Sequence, residues 1–142
     1  MMANQSSNKP VPVPDAETQP YWDAASQHSL KIPHCDSCGE YVFPPRPGCP
    51  GCLGSPLEWV EVSGRGTLYS FAVMHESYMR GFEPPYLIAQ VELEEQPGLR
   101  LTANLVGCDP AGAVIGMPVS VTFEDRGAGI SVPQFQPTEQ VN

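Results

Sequence analysis

The sequence predicts a mainly β chain: a short N-terminal helix, a cysteine-bearing knuckle unit, then a small barrel of five strands. Three observations predict it. Seventeen prolines and thirteen glycines in 142 residues argue against long helices and for many short strands and turns. Four of the five cysteines fall in two CxxC pairs, Cys35-Asp36-Ser37-Cys38 and Cys49-Pro50-Gly51-Cys52, with ten residues between them. Beyond residue 60, apolar residues recur at every second position in successive short runs, the period of a half-buried strand.

Taken in order, residues 1–14 are expected to be a flexible N-terminal arm, polar and then proline-punctuated (Lys9-Pro10-Val11-Pro12-Val13-Pro14). Residues 15–29 read as the only good helix. Thr18 suits its N-cap, and Pro20 sits in the first turn, where a missing N–H costs little. Tyr21, Trp22, Ala24 and Ala25 give it one apolar side. A helix this short needs a surface to lie on, which is either the chain's own core or another subunit.

Residues 30–59 hold the cysteines. Leu30 and Ile32 suggest a strand entering the unit, Leu57 and Trp59 one leaving it. Between the CxxC pairs, three prolines and Tyr41-Val42-Phe43 read as a hairpin or extended loop. Each pair presents two thiolates from one tight turn, and Gly39 and Gly51 suit turns that need positive φ. Cys35, Cys38, Cys49 and Cys52 together make one tetrahedral tetrathiolate site of the structural Zn²⁺ type, a zinc ribbon. Softness and geometry also admit iron. The competing reading is two disulfides. Met1 to Asp15 shows no apolar stretch of signal-peptide length, so a reducing cytoplasm is the expected setting, and it favours a metal. Four cysteines fill every position, which argues against a catalytic zinc with an open site. His34, beside Cys35, is either a competing ligand or a neighbour outside the coordination sphere.

Residues 60–137 supply the strands. Gly64-Arg65-Gly66 breaks the first run. Thr67–Met74, Tyr86–Leu93, Leu99–Val106 and Val119–Glu124 follow, and Ile130–Phe135 has enough apolar character for a short edge strand. Asp109–Gly116 reads as a turn with a short helix, and 138–142 as a flexible tail. Five strands in so short a segment fit a five-stranded OB-fold barrel better than a sandwich, which wants about seven.

The formal net charge is −9, with seven scattered Lys and Arg residues. Nucleic-acid binding draws on a basic footprint, so the alternative of a single-stranded nucleic-acid-binding ribbon and barrel is disfavoured. No stretch approaches transmembrane length, so no membrane partner is expected. The three histidines (His28, His34, His75) occupy no recognisable catalytic phrase. His75-Glu76 is either an acid–base pair at the mouth of a site or an exposed strand end. Arg65, between two glycines, is either a contact for a phosphate of coenzyme A (CoA) or a solvated arginine in a strand-initiating turn. Cys108 reads as a small half-buried thiol at a strand end.

The ordered set Tyr21-Trp22, Cys35-Asp36-Ser37-Cys38-Gly39, Phe43-Pro44-Pro45-Arg46, Cys49-Pro50-Gly51-Cys52, Leu57-Glu58-Trp59, Ser63-Gly64-Arg65-Gly66-Thr67, Pro84-Pro85-Tyr86, Ile115-Gly116-Met117-Pro118-Val119 and Pro133-Gln134-Phe135 resembles the domain of unknown function 35 family over roughly residues 15–137. The resemblance implies a rubredoxin-like zinc ribbon on an OB-fold. It also implies a non-catalytic accessory role beside a thiolase-fold large subunit, in hetero-oligomers that make or break carbon–carbon bonds of acyl-CoA thioesters. The catalytic residues would then lie in the partner. Tyr21 and Trp22 are the candidate partner contacts, and Arg65 the candidate CoA contact.

Overall fold

The computed structural model describes residues 9–53 and 57–138. The expectations for residues 1–8 and 139–142, and the part of the cysteine unit at 54–56, lie outside the described residues. From Lys9 onward the segment expected to be a flexible arm is tied down. Lys9 Nζ donates to both carboxylate oxygens of Glu124 at 3.0 and 3.2 Å, and Arg126 Nη1 donates to the Pro10 carbonyl at 2.9 Å.

Helix α1 spans Gln19–Ser26, shorter than the expected 15–29. Thr18 stands at the N-cap without capping through its side chain. Asp15 takes that part, its Oδ1 accepting from the Thr18 backbone N–H at 2.9 Å and from the Thr18 hydroxyl at 3.0 Å. The helix stops because His28 turns into the left-handed region (φ 59°), while the N–H groups of Gln27, His28 and Ser29 close on the last carbonyls. Its buried residues are Ala24 and Ala25, set against strands of the same chain. Small side chains on that face let the backbone approach closely, and they settle the main surface of α1 as the chain's own.

Strand β1 (Lys31–His34) pairs antiparallel with β2 (Glu58–Glu61), Ile32 opposite Val60 and Pro33 opposite Trp59. Five further strands follow: β3 (Arg65–Met74), β4 (Tyr86–Leu93), β5 (Arg100–Leu105), β6 (Pro118–Gly127) and β7 (Ile130–Pro137). They close a barrel in the order β3-β4-β5-β7-β6. All pairings are antiparallel except β5 with β7, a parallel contact with one registered pair, Leu105 opposite Phe135. A closed five-stranded barrel of this order is an OB-fold. The expected short helix at 109–116 is a single 3-10 turn, Pro110–Gly112, capped by the Asp109 carboxylate.

The edge strand expected at Ile130–Phe135 is corrected: β7 has eight residues, pairs along β6 and seals the barrel against β5. Its sequence looked weak because polar Ser131 and Gln134 interrupt it, yet both are buried, at 4% exposure each. Its inward residue Phe135 is fully buried.

One buried apolar cluster runs through the molecule. Leu68, Leu87, Val91, Leu93, Leu101, Leu105, Val119 and Phe135 fill the barrel, and Leu30, Ile32 and Val62 from the base of the ribbon join the same cluster. The β1–β2 ribbon is therefore seated on the barrel through shared hydrophobic burial. A second tie is polar. The Gln96 side chain accepts from the Tyr41 N–H at 2.8 Å and donates to the Tyr41 carbonyl at 3.1 Å, so it pairs with the ribbon backbone as another strand would.

Candidate metal centre

The two CxxC segments fold into matching knuckles. In the first, the Gly39 N–H donates to the Cys35 carbonyl at 2.8 Å; in the second, the Leu53 N–H donates to the Cys49 carbonyl at 2.9 Å. The residue after the second cysteine is left-handed in both, Gly39 at φ 80° and Leu53 at φ 57°. The role expected for Gly51 is thereby corrected: Gly51 does not have positive φ, and an 85%-exposed leucine occupies the left-handed position instead. A leucine there is strained by about 1–2 kcal/mol relative to glycine.

These turns bring Cys35, Cys38, Cys49 and Cys52 together with all four sulfurs within 4.8 Å of one another. Cys35 Sγ lies 3.6 Å from Cys52 Sγ, and Cys38 Sγ 3.5 Å from Cys49 Sγ. A tetrahedron with a Zn–S length of about 2.3 Å has edges of about 3.8 Å, so the sulfurs stand at coordination distance, well beyond the ~2.0 Å of a disulfide. Cys35 and Cys49 are buried; Cys38 and Cys52 face outward.

Thiol acidity follows the same geometry. Backbone N–H groups of Cys52 and Gly51, with the Cys38 thiol, lower the Cys49 thiol to about 7. At Cys38 the Glu40 backbone N–H favours the thiolate, but the neighbouring sulfurs and burial outweigh it and push the thiol up to about 12. Four thiolates cannot crowd together without a compensating cation, and a bound dication supplies that compensation. The donor set therefore fits a soft divalent ion.

His34 stands apart from this set. Its Nδ1 lies 3.5 Å from Asp36 Oδ1, and its ring packs edge-on against Tyr41 at 4.7 Å. Among the described residues, the ligand-type group contains the four cysteines alone.

The other expected site residues are dispersed. Tyr21 is half-buried. Its ring packs on Phe43 at 5.6 Å and against the core cluster, and burial raises its phenol above the ordinary range. Trp22 is half-buried and meets Tyr21 edge-on at 5.1 Å. Arg65 is exposed and donates to Glu94 Oε2 at 2.8 Å; together with the Ser63 hydroxyl it holds the Glu94 carboxyl below its usual range. The glycines beside it answer to packing. A Cβ on Gly64 would overlap Val121 and one on Gly66 the Glu92 carbonyl, so Ser63–Gly66 serves as the turn that starts β3. His75 and Glu76 are exposed at the end of β3. Cys108 is half-buried, its thiol donating to the Asp109 carbonyl at 3.4 Å.

Ribbon and barrel define a two-part class, a zinc ribbon mounted on an OB-fold. Two family models divide the chain the same way: "ChsH2, rubredoxin-like zinc ribbon domain" matches residues 22–58, and "ChsH2, C-terminal OB-fold domain" matches residues 59–124. The chain belongs to the DUF35 family. It is 38% identical to a "DUF35 domain-containing scaffold protein" of Methanocaldococcus jannaschii, covering 74% of this chain and 79% of that protein. Its structure matches a solved chain titled "Ltp2-ChsH2(DUF35) aldolase" with a TM-score of 0.81 and 37% identity, over 89% of this chain and 98% of that one. It is 37% identical to the "Probable enoyl-CoA hydratase alpha subunit" of Thermomonospora curvata over 91% of this chain, but spans only 40% of that relative. It is also 38% identical to "Benzoylsuccinyl-CoA thiolase subunit BbsA" of Thauera aromatica, covering 55% of this chain and 52% of that protein. Among the described residues, no helix is long and apolar enough to cross a membrane.

Proposed function

We propose that this chain is a non-catalytic, zinc-binding accessory subunit of a thiolase-fold enzyme complex that forms or cleaves carbon–carbon bonds in acyl-CoA thioesters. Cys35, Cys38, Cys49 and Cys52 hold the zinc, which supplies a rigid, redox-silent crosslink between the two knuckles. The zinc does no chemistry on substrate, because all four positions are taken by sulfur. The catalytic nucleophile and base belong to the large subunit, and this chain helps shape the acyl-CoA site and bridges subunits.

The observation that carries this reading is the match over nearly the full length of the solved DUF35 chain, which is described as an aldolase. The thiolase and hydratase subunits among the relatives support the same class of partner and a hetero-oligomer. The chain's own residues agree. His75 is exposed at the end of β3, Arg65 pairs with Glu94, and seven scattered Lys and Arg residues stand against a net charge of −9. Half-buried Tyr21 and Trp22 are the proposed partner contacts, and exposed Arg65, paired with Glu94, the proposed CoA contact.

Co-expression with thiolase-fold proteins encoded beside it tests the reading. A stable complex is expected, with acyl-CoA turnover that neither chain shows alone. Turnover by this chain in isolation, or failure to bind any such protein, overturns it. In the complex, Trp22→Ala is expected to weaken assembly more than it lowers the melting temperature of the free chain.

A further inference from the structure

Beyond its first residues, strand β3 is paired on one side alone. It pairs with β4 as far as Met74, but with β6 only through Arg65, Gly66 and Thr67. Leu68 then closes on the turn before β6, its N–H donating to the Met117 carbonyl at 2.9 Å and its carbonyl accepting from the Gly116 N–H at 2.7 Å. The register with β4 shifts between Leu68 and Ser70, a bulge at Tyr69. From Tyr69 to Met74, among the described residues, no strand pairs with the edge of β3 that faces away from β4.

Natural proteins guard a free edge with charged side chains or proline. Residues 69–74 contain neither. Residues 66–74 and 110–123, which meet at Leu68, hold no charged side chain at all, although the chain carries a net charge of −9. Two cations near this edge are already paired within the chain. Arg65 donates to Glu94 at 2.8 Å, and Arg100, whose guanidinium lies 3.7 Å over the Tyr69 ring, pairs with Glu92 at 3.3 Å. Large apolar residues gather here instead. Tyr69 on the strand, Tyr78 and Met79 on the connection that leaves it, and Val114 and Ile115 on the turn bonded to Leu68 are each 45–66% exposed. Phe71 and Val73 lie opposite Ala89 and Leu87, which are buried, yet they are themselves covered only in part.

We infer that this edge pairs with the same edge of a second copy of the chain, antiparallel about a two-fold axis through Ala72. Charge selects the occupant. Two chains of net −9 repel each other wherever acids are presented, so self-association needs a face without charge, and the β3 edge is such a face. A two-fold makes the contact isologous, each residue meeting a near neighbour of its own counterpart. With Ala72 opposite itself, Phe71 meets the second copy's Val73 on one face of the joined sheet, and Ser70 meets the second copy's Met74 on the other. Aromatic–β-branched cross-strand pairs stabilise a sheet, and the two-fold forms this one twice. Ala72 is exposed and small, so nothing on the axis holds the strands apart. The inference is independent of the enzyme partner proposed above.

Sedimentation of the zinc-loaded chain tests it. A concentration-dependent dimer is expected, and added salt should strengthen it by screening the repulsion between two acidic chains. Amide exchange at residues 69–74 should slow as the concentration rises, while exchange in β6 stays constant. Ala72→Glu and Ala72→Lys each set like charges opposite one another and should weaken dimerisation at least about tenfold, with zinc content and circular dichroism unchanged. Mixing the two variants should restore pairing, because Glu then meets Lys. A wild-type chain that stays monomeric up to about 1 mM overturns the inference. So does a dimer that salt weakens, that neither variant disturbs, or that leaves exchange at residues 69–74 unchanged. A wild-type monomer that binds a thiolase-fold partner lost by Ala72→Glu also overturns it, since the edge then belongs to that partner. A dimer that behaves as expected but captures no such partner upholds the edge and counts against the proposed function alone.

Discussion

In the barrel, Leu68, Leu87, Val91, Leu93, Val119 and Phe135 are each nearly or wholly withdrawn from water. Between Cys35 and Cys52, the only apolar residues so withdrawn are Val42 and the two inner cysteines. The barrel thus satisfies its backbone through ladders over an apolar interior, while the two knuckles rest on a few backbone hydrogen bonds and four sulfurs. The contrast teaches that the chain has two stabilising agents acting on adjacent regions: hydrophobic burial, which is always present, and metal ligation, which is conditional. Ile32 and Leu30 link them, since they belong to the ribbon in sequence and to the barrel in packing.

The largest expected effect is metal removal. Structural zinc sites contribute apparent free energies on the order of 10 kcal/mol to the segment they fold. A strong chelator should collapse the amide resonances of Gly39 and Leu53 while those of β4 and β6 persist. Unchanged knuckle resonances after verified metal loss would erase the contrast. Next comes Phe135→Ala, which opens a cavity at a fully buried position and should cost about 3–5 kcal/mol. Below the melting transition the variant should still bind one zinc per chain; a loss under about 1 kcal/mol in denaturant titration would mean that the barrel does not depend on its interior.

A smaller effect isolates the tie between the regions. Gln96→Ala removes both hydrogen bonds to Tyr41 and should cost about 1–2 kcal/mol, with hydrogen exchange rising at Tyr41 more than in β4. Uniform exchange in both places would assign the coupling to Leu30 and Ile32 alone. The smallest effect is the acid response of Asp125. The Ser131 hydroxyl and then His28 hold its carboxyl below the usual value. A depressed carboxyl stabilises the fold above its unfolded-state pKa of about 3.9, and that contribution fades as pH falls through the lower folded value. Asp125→Asn should therefore lower the melting temperature slightly at neutral pH, with the difference from wild type fading as pH falls through the acid limb, which becomes flatter. A difference that appears only in acid and not at neutral pH would contradict the assignment.

Much of this was legible because it is local or periodic. Cysteine spacing signals one four-sulfur cluster, alternation in 67–74, 99–106 and 119–124 signals strands, and the nearly all-apolar centre of 86–93 signals another. What escaped depends on distant partners. Strand β7 is covered by helix α1 from the far end of the chain, and the arm is tied to neighbouring β6 by the Arg126 bond to Pro10, so no period within 130–137 reveals its closing role. The Gln96–Tyr41 pairing spans 55 residues and leaves no local trace. Leu53 hid a left-handed turn because the residue type argues against one, and the glycines around Arg65 drew attention to an arginine although steric closeness to Val121 and Glu92 explains them.

The side chain that joins the two regions at Tyr41 is an amide, not a carboxylate or an ammonium group. Ionic strength does not screen it, and protons in the physiological range do not titrate it. A ribbon anchored this way keeps its bearing on the barrel when electrolyte or acidity drifts, so a surface spanning both parts presents one constant shape to whatever docks against it.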